Sequence, residues 1–493
     1  MRLRQLVKVL DNPSVLSGQV GSAMREKEIA GIACDSKKVE DGFLFVAIKG
    51  TSQDGHSFIG EALDRGAAAL IVQSALCGCQ IPQEVVCIKV DDTRRALARL
   101  SAEFYGNPSR QMKIIGITGT NGKTTVSFLI EHLLKKASLN PAVIGTINYR
   151  FNNKVFASTN TTPGPLDIQE LLSEMFMGRV NYVVMEVSSH SLDQNRVDGI
   201  KFSHALFTNL TQDHLDYHQS IDNYFRAKAK LFVGLSAESV AIINNDSTYA
   251  VRLESLAKCK ILTYGIDIKS DICALDMHFG LTGTNFIAST PKGRMEINSA
   301  LIGRHNVYNI LAAVAVGVNE GLSLELISKS LGEFELVPGR LERIDLGQDF
   351  FVFVDYAHTE DALYNVISAL KELARHRIIV VFGCGGDRDK TKRPKMGKVV
   401  SQLADFALVT SDNPRSEEPQ DIINDILAGI STDNYRAVPR RDKAIEEALS
   451  MARRGDIILI AGKGHETYQI LGDEHIPFDD REVVRACLKS MNY

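Results

Sequence analysis

Long apolar runs are missing from this sequence. No run approaches the roughly 18 residues that a membrane-spanning helix needs. The apolar stretch near the start, within MRLRQLVKVLDNP, is too short for the hydrophobic core of a signal peptide. The sequence therefore predicts neither membrane insertion nor secretion, and we expect a protein of the cytoplasm.

Excess charge and paired cysteines are also missing. The net charge is -4, with 24% charged and 44% apolar residues, which gives no basic surface for nucleic acid or an anionic membrane. The eight cysteines include no CxxC pair, which favours reduced thiols over disulfides or a structural zinc site. They are Cys34, Cys77, Cys79, Cys87, Cys259, Cys273, Cys384 and Cys487. Partners must therefore be inferred from individual sites.

The length indicates several domains. At 493 residues the chain exceeds what one hydrophobic core supports, and about three domains are expected. Two turn-rich segments, YGNPS at 105–109 and VPGR at 337–340, are typical of boundaries. We predict domains at 1–106, 107–337 and 338–493.

Alternating apolar patterns predict an α/β fold. Val126, Leu129, Ile130, Leu133 and Ala137 have the spacing of a helix packed on a sheet. The runs 378–382, 406–409 and 457–460 are almost continuously apolar, as in parallel strands buried on both faces. Ligands are expected at the carboxyl ends of such strands. The pattern does not predict a topology for the first 105 residues.

A glycine-rich loop follows the predicted strand 114–117. Its residues are Gly119, Thr120, Asn121, Gly122, Lys123, Thr124 and Thr125. Strand, loop and helix together supply backbone N–H groups, a lysine and a hydroxyl, which an ATP–magnesium site needs. The strict GxxxxGK[ST] motif would require glycine at position 117, where this chain has Ile117. We predict ATP binding through the shorter GTNGKTT motif, the alternative being an incidental glycine turn; the loop alone names no reaction.

Several further motifs carry a family resemblance. In chain order they are DS at 35–36, DGH at 54–56, GTNGKTT at 119–125, NTTPG at 160–164, MEVSSH at 185–190, TNL at 208–210, DHLD at 213–216 and GRHN at 303–306. With this order and spacing the chain resembles the Mur ligase family of cell-wall precursor enzymes. The resemblance covers essentially the whole chain. It implies a small mixed α/β uridine-binding domain, a central P-loop ATPase-like parallel-sheet domain and a C-terminal Rossmann-like α/β domain.

The resemblance also implies a reaction. ATP would activate the D-glutamate carboxylate of UDP-MurNAc-L-Ala-D-Glu as an acyl phosphate, which the amine of meso-diaminopimelate would then attack. Magnesium, with two ions expected, and Lys123 would screen the repulsion between the two anions. The implied partners are these small molecules alone, with no nucleic acid and no membrane insertion, and we expect a monomer.

The resemblance assigns the nucleotide and metal residues. Besides the loop 119–125, ATP would contact Asn306, Arg340 and Asp355, while the implied catalytic residues are Lys123, Glu186, His214 and Lys228. Thr124, Glu186, His214 and a carbamylated Lys228 would hold the metal. From the residues alone, Glu186 could instead cap a turn and His214 could be structural. Lys228, with Arg226 and Lys230, could belong to a solvated basic stretch.

The UDP-linked substrate would contact seven polar residues. They are Ser36, Asn160, Thr161, Thr162, Ser188, Gln194 and Arg196. Without the family resemblance none of them differs from the polar groups of ordinary turns.

The last predicted domain carries a candidate amino-acid pocket. Its residues are Arg388, Asp412, Asn413, Pro414, Arg415, Gly462 and Glu466. The DNPR segment at 412–415 is similar to that of family members that add meso-diaminopimelate, whose distal carboxylate a guanidinium can bind through two hydrogen bonds. The alternative is a turn before a helix starting at Pro419.

Other functions remain open at this point. Within the ligases, the chain could add L-lysine, a dipeptide or, less compatibly with DNPR and the uridine region, glutamates to folate. From another class, a P-loop switch or a small-molecule kinase would release or transfer phosphate without forming an amide.

Overall fold

The computed structural model describes residues 1–17, 27–50, 53–73 and 80–493. Its first sheet has the order β1-β5-β4-β3-β2, with β2 to β5 parallel and β1 antiparallel to β5. The strands are β1 (Ser14–Ser17), β2 (Ile32–Ala33), β3 (Leu44–Val46), β4 (Ala69–Val72) and β5 (Val86–Lys89), and the helices are α1 (Leu3–Val7), α2 (Ile59–Asp64) and α3 (Thr93–Phe104). This part of the chain is mixed α/β.

The second sheet contains eleven strands in the order β16-β15-β14-β13-β12-β11-β6-β10-β7-β8-β9. They are β6 (Lys113–Thr118), β7 (Pro141–Ile144), β8 (Asn148–Phe151), β9 (Lys154–Ala157), β10 (Tyr182–Glu186), β11 (His204–Phe207), β12 (Val240–Asn244), β13 (Lys260–Gly265), β14 (Ile272–Gly280), β15 (Gly283–Thr290) and β16 (Gly293–Ser299). Its six central strands, β13, β12, β11, β6, β10 and β7, are parallel to one another. Antiparallel strands extend both edges.

Eight helices of the described chain accompany this sheet. They are α4 (Lys123–Lys136), α5 (Pro165–Met177), α6 (Ser189–Asp193), α7 (Leu215–His218), α8 (Ile221–Val233), α9 (Ala250–Leu256), α10 (Arg304–Asn319) and α11 (Leu324–Gly332). In the described ranges no helix is both long and apolar enough to cross a membrane.

The third sheet has the order β17-β18-β22-β19-β20-β21, and a separate hairpin pairs β23 with β24. The strands are β17 (Glu342–Ile344), β18 (Phe351–Asp355), β19 (Ile378–Phe382), β20 (Phe406–Val409), β21 (Tyr435–Ala437), β22 (Ile457–Ala461), β23 (Tyr468–Leu471) and β24 (Glu474–Pro477); the helices are α12 (Glu360–Leu373), α13 (Lys392–Leu403), α14 (Pro419–Leu427), α15 (Arg441–Met451) and α16 (Asp480–Ser490). The neighbouring strands β18, β22, β19, β20 and β21 are all parallel. The predicted buried strands at 378–382, 406–409 and 457–460 are confirmed.

Strand β6 shows why the central runs are apolar throughout. Ile115 and Ile117 pack into the core on one face of the sheet, with α4 and α10. Ile114 packs into the core on the other face. Position 117 is therefore fully buried, and an isoleucine fills space there that the strict phosphate-loop motif would leave to glycine.

The first and second sheets are joined by polar contacts beside α3. Arg95 Nε lies 2.8 Å from Asp198 Oδ2, and Asn195 Nδ2 donates to Asp92 Oδ2 at 2.9 Å. Gly199 fits against α3, where a Cβ would stand 2.5 Å from the Ala98 carbonyl oxygen. These contacts hold the first sheet next to the loop after α6.

A cluster of ionisable side chains surrounds the buried Glu320 at the opposite end of the second sheet from the phosphate loop. Glu320 accepts from Lys113 Nζ at 2.6 Å and from the Tyr182 hydroxyl, and lies 3.1 Å from His204 Nε2. Burial opposes ionisation of Glu320, but hydrogen bonds from His204, Lys113 and Tyr182 outweigh it and lower its pKa to about 2. The ionised carboxylate should therefore stabilise the fold at neutral pH.

We expect Glu320→Gln to lower the free energy of unfolding at pH 7 by about 2–3 kcal/mol. The pKa of this carboxyl is lower in the folded state than in the unfolded chain. Its contribution is therefore complete above about pH 4.5 and is lost as the pH falls towards about 2. Urea unfolding at several pH values measures the effect. The control Glu333→Gln removes an exposed ion pair with Lys136 and should change little; an equal deficit at pH 7 and pH 2 would contradict the assignment.

Candidate active site

The phosphate loop depends on two close backbone approaches. Gly119 follows β6, and Gly122, with φ +87°, directly precedes α4. A Cβ would stand 1.9 Å from Thr208 Oγ1 at Gly119, and 2.5 Å from Asn309 Oδ1 at Gly122. Both positions require glycine, because a side chain would displace the loop from the N-terminus of α4.

Gly122→Ala should weaken ATP binding by an order of magnitude or more, because a strained, clashing residue costs roughly 1–3 kcal/mol. Gly321→Ala is the matched control, since Gly321 has φ +84° but no atom within 4 Å of its Cβ position. Calorimetric titration with ATP measures both variants. Equal affinities for the two would contradict a role of the close approach in shaping the loop.

Glu186 is held beside the loop by hydroxyl and amide donors. It ends β10, the neighbour of β6, and is 1% exposed. Its Oε2 accepts from Thr124 Oγ1 and Thr146 Oγ1, both at 2.9 Å, and its Oε1 accepts from the Thr146 N–H at 3.1 Å. The carboxylate thus faces the loop through donors that do not belong to the turn after β10. Thr146 was not predicted, since a lone threonine gives no signal in the sequence.

Two lysines converge on the same loop. Lys123 Nζ donates to the carbonyl oxygens of Gly119 and Thr120, both at 2.9 Å, and Lys228 Nζ donates to that of Gly119 at 2.8 Å. Burial lowers the pKa of both ammonium groups, and the positive charge of Lys123 lowers that of Lys228 further. Two cations with weakened proton affinity therefore lie where phosphate charge would stabilise them.

The interpretation of Lys228 as part of a solvated basic stretch is wrong. On α8, Arg226 and Lys230 have exposed side chains, while Lys228 is 1% exposed. Residues two positions apart on a helix point in very different directions, so α8 turns Lys228 towards the loop. Tertiary packing, which the local charge pattern does not report, makes this distinction.

His214 lines the same cavity as Lys123 and Glu186. Its side chain is 45% exposed, its Nε2 lies 3.4 Å from Asp213 Oδ2, and its ring packs edge-on to His190 at 4.8 Å. Partial burial lowers its pKa; Asp213 opposes this effect, while Lys123 and Lys228 add to it. His218, four residues on, is instead buried with Nε2 3.0 Å from Ser189 Oγ.

The phosphate loop, Glu186 and His214 line a cavity of about 270 Å³. Residues that follow the second sheet and residues of the third-sheet region complete its wall. Arg340 Nη2 lies 3.4 Å from Thr124 Oγ1, and its guanidinium lies 4.4 Å from the Tyr356 ring centre. Asn306 also lines the cavity; its Oδ1 accepts from Asn309 Nδ2 at 2.9 Å. The predicted nucleotide residues therefore meet in one cleft.

Asp355 lines this cavity but is already engaged. Its Oδ2 accepts from the Leu341 N–H at 2.6 Å and its Oδ1 from the Ala357 N–H at 2.7 Å. Burial raises its pKa, although Arg340 and these amides oppose that effect. The carboxylate fixes the loops after β18 and before β17 in addition to facing the cleft.

A direct link between the phosphate loop and the third sheet was not predicted. Asp361, in the first turn of α12, accepts from Asn121 Nδ2 at 2.8 Å and from Thr211 Oγ1 at 3.1 Å. Its 240-residue separation from Asn121 leaves no sequence signal for the contact. The link places α12 against the loop.

Six of the seven predicted UDP-substrate residues belong to the second-sheet region, where Thr162 contacts Glu186. Thr162 Oγ1 donates to the Glu186 carbonyl oxygen at 2.8 Å and accepts from the Ser188 N–H at 3.0 Å. Arg196 donates to the Thr162 carbonyl oxygen at 2.8 Å and to Gln194 Oε1 at 2.7 Å. Asn160 and Thr161 precede Thr162 in the loop between β9 and α5, where Thr161 Oγ1 lies 3.1 Å from Thr146 Oγ1.

Ser36 lies apart from that group. It stands in the first-sheet region, and the hydrogen bond found for its Oγ among the described residues goes to Glu61 Oε2 at 2.7 Å. The structure therefore does not bring Ser36 together with the other six predicted substrate residues.

The predicted amino-acid residues lie on loops after β19, β20 and β22. Asn413 Nδ2 donates to Glu466 Oε2 at 2.9 Å, and Arg415 Nη1 donates to the Gly386 carbonyl oxygen at 2.7 Å. Arg388 is exposed and, with Arg415, flanks Gly385: the Cβ position there lies 3.9 Å from Arg388 Cγ and 2.9 Å from Arg415 Nη1.

The remaining pocket residues have packing roles. Gly462, with φ +117°, approaches Asp412 so closely that a Cβ would stand 2.6 Å from Asp412 Oδ2. The Pro414 carbonyl oxygen lies 1.9 Å from the Cβ position of Gly386. Helix α14 begins at Pro419, as the alternative interpretation predicted. Residues 412–414 form a buried turn ahead of this helix, and the turn also shapes the pocket. Lys463, fully buried between Asn413 and Glu466, was not predicted.

Tyr356 connects the two sites. Its ring contacts Arg340 in the cavity beside the phosphate loop, and its hydroxyl lies 3.5 Å from Glu466 Oε1 among the predicted amino-acid residues. Thr124 and Glu186 offer hard oxygen ligands of the kind that Mg²⁺ prefers. The cleft can therefore hold phosphate, a divalent cation and a charged second substrate close together.

Comparison with known proteins agrees with this geometry. Models of the Mur ligase family catalytic domain, the Mur ligase middle domain and the Mur ligase glutamate ligase domain match residues 28–105, 117–317 and 339–464. The UDP-N-acetylmuramoyl-L-alanyl-D-glutamate--2,6-diaminopimelate ligase of Geobacter metallireducens is 44% identical to this chain, over 100% of this chain and 99% of its own length. The protein of the same name from Clostridium perfringens is also 44% identical, over 99% of this chain and 100% of its own length.

A solved structure gives the same result. The structure of a UDP-N-acetylmuramoyl-L-alanyl-D-glutamate--2,6-diaminopimelate ligase superposes with a TM-score of 0.71 at 31% identity, covering 100% of this chain and 99% of the other. Full-length similarity at this level leaves no part of the described fold outside the match. The chain therefore belongs to the Mur ligase family of ATP-dependent acid–amino-acid ligases.

Proposed function

We propose that this protein adds meso-2,6-diaminopimelate to UDP-MurNAc-L-Ala-D-Glu, with conversion of ATP to ADP and phosphate, in peptidoglycan precursor synthesis. The observation that carries the proposal is that the phosphate loop and the buried Glu186 line one cavity, and that Tyr356 in its wall also reaches Glu466 among the predicted amino-acid residues. The relatives at 44% identity bear the name of this activity.

The proposed domains divide the substrates between them. Residues 1–106 would hold the uridine end through Ser36, residues 107–337 would hold ATP, and residues 338–493 would hold the amino acid. Thr162 contacts Glu186 and Arg196, and Asn195, next to Arg196, contacts Asp92 in the first-sheet region, which suits a substrate that reaches from a nucleotide to a reacting carboxylate.

In the proposed reaction the D-glutamate carboxylate oxygen attacks the terminal phosphorus of ATP, and ADP leaves. The amine then attacks the acyl phosphate carbon, and phosphate leaves. Lys123 would lie against the transferred phosphoryl group and screen its charge from the carboxylate, so that two anions can approach. Closure of the cleft, through contacts such as Asp361 to Asn121, would exclude water from the acyl phosphate.

Thr124 and Glu186 would hold one magnesium ion, and His214 with a carbamylated Lys228 a second. Magnesium supplies charge neutralisation to the phosphates. The burial of Lys228 favours a neutral amine, and a neutral amine can add carbon dioxide and release a proton to become a carbamate. That modification would place an anion beside Lys123.

Arg388, Arg415 and Asn413 would bind the carboxylates of diaminopimelate, with Glu466 and the Gly462 backbone holding the distal ammonium. Lysine ends in an ammonium without that carboxylate, and the arginine charge would then be left unpaired. The lysine-adding alternative is therefore disfavoured by the pocket residues. We also propose a monomer acting in the cytoplasm, where ATP and nucleotide-linked precursors are available.

The experiment supplies ATP, magnesium and UDP-MurNAc-L-Ala-D-Glu with either meso-diaminopimelate or L-lysine. We expect tripeptide product with diaminopimelate and one phosphate per amide. Absence of product with both amino acids would refute the ligase proposal. Phosphate release or transfer without an amide would support the switch or kinase alternative.

A further inference from the structure

Lys463 is a buried cation inside the amino-acid pocket, on the loop after β22. Its side chain is 0% exposed, and its Nζ lies 3.1 Å from both Asn413 Oδ1 and Glu466 Oε2. Removing an ammonium from water is costly unless charge and hydrogen bonds compensate it. The two partners that compensate it here are both proposed amino-acid ligands.

Lys463, Asn413 and Glu466 form a closed ring of hydrogen bonds. Asn413 Nδ2 donates to Glu466 Oε2 at 2.9 Å, while Asn413 Oδ1 accepts from Lys463 and, at 3.0 Å, from the Ile470 N–H of β23. Glu466 Oε2 thus receives two donors from the protein. Its Oε1 has the Tyr356 hydroxyl at 3.5 Å, so Oε1 is the oxygen left for an incoming ammonium.

The ring also sets the charge of the pocket. Lys463 neutralises Glu466, and the neighbouring pair Arg441 and Asp480, at 2.7 Å, is neutral as well. Arg415 lies near the carboxylate of Asp387, and Arg388 Nη1 donates to the Asp387 carbonyl oxygen at 3.1 Å. Because Lys463 cancels the charge of Glu466, the pocket is more positive by one unit than it would be without this lysine.

The two amino acids differ in the charge that this pocket would receive. With its attacking amine neutral, diaminopimelate has two carboxylates and one ammonium, a net charge of about -1, whereas lysine in the same state has a net charge near zero. The positive charge that Lys463 adds attracts the first and gains nothing from the second.

We infer that Lys463 is a specificity determinant: it neutralises Glu466 and so favours an amino acid with a distal carboxylate over one with a distal ammonium alone. The inference rests on the proposed function. Lys463 is a positioning residue, because it acts through Glu466 and Asn413 without contacting the reacting atoms.

The test compares the wild type with Lys463→Met, Glu466→Gln and the double variant. Lys463→Met leaves Glu466 unneutralised and should raise the ratio of kcat/KM for L-lysine to that for diaminopimelate by about tenfold or more, as expected for one nearby charge. Glu466→Gln should lower the ratio, and the double variant should lie between the single variants. A packing role alone would reduce both substrates together and move the variants in one direction.

A second variant covers a folding defect. If Lys463→Met fails to bind ATP, Lys463→Arg, which keeps the charge, should retain the wild-type ratio while Glu466→Gln still lowers it. An unchanged ratio in Glu466→Gln, or in a folded Lys463→Met, overturns the inference. Failure of the wild type to use diaminopimelate would instead refute the proposed function, so the two failures are distinguishable.

Discussion

Replacing Lys228 with methionine should reduce ligase turnover by about a hundredfold or more, the size of effect seen when a preorganised charged group is removed from a reacting site. Its Nζ contacts the Gly119 carbonyl oxygen at 2.8 Å from a fully enclosed position. Methionine keeps the length of the side chain but cannot carry the charge or accept carbon dioxide. Steady-state phosphate release and amide formation measure the change.

The matched control is Lys230→Met on the same helix. Lys230 is 46% exposed and pairs with Asp193 on the surface, so this variant should keep nearly full turnover and stability. Similar losses for both lysines would show that α8 is merely sensitive to charge removal, and they would contradict the role of Lys228 in the site.

Arg415→Lys should lower kcat/KM for diaminopimelate by one to two orders of magnitude, because bidentate binding of a carboxylate by a guanidinium is lost while the charge remains. ATP affinity should be unchanged, since Arg415 lies on the loop after β20 and not in the nucleotide cavity. Kinetics with saturating ATP measure the first quantity and calorimetry the second.

Arg436→Lys is the control for this change. Arg436 lies on β21 of the same sheet and is 59% exposed, so its replacement should leave both quantities at wild-type values. An Arg415→Lys enzyme with unaltered diaminopimelate kinetics would exclude the proposed carboxylate contact.

Much of the fold was predictable because the strands are buried on both faces. The runs 378–382 and 406–409 coincide with β19 and β20, and continuous apolar sequence leaves few alternatives for a parallel strand. The antiparallel edge β14 to β16 was not predicted, because its strands alternate buried and exposed residues and carry no motif. The topology of the first sheet was not predicted either, because its strands are only two to four residues long.

The candidate site was predictable where function requires unusual local chemistry. The GTNGKTT loop and the DNPR segment combine glycine, proline and charge in ways that core packing does not require. Thr146, Asp361 and Lys463 could not be found in this way, because their importance comes from partners 40, 240 and 50 residues away. Lys228 needed both the family resemblance and the packing of α8.

The most direct test of the proposed function is a competition between amino acids. The enzyme receives ATP, magnesium, UDP-MurNAc-L-Ala-D-Glu and equal concentrations of meso-diaminopimelate and L-lysine, and mass spectrometry identifies the product. The Arg415 pocket predicts that nearly all of the tripeptide contains diaminopimelate. A product that contains mainly lysine would contradict it.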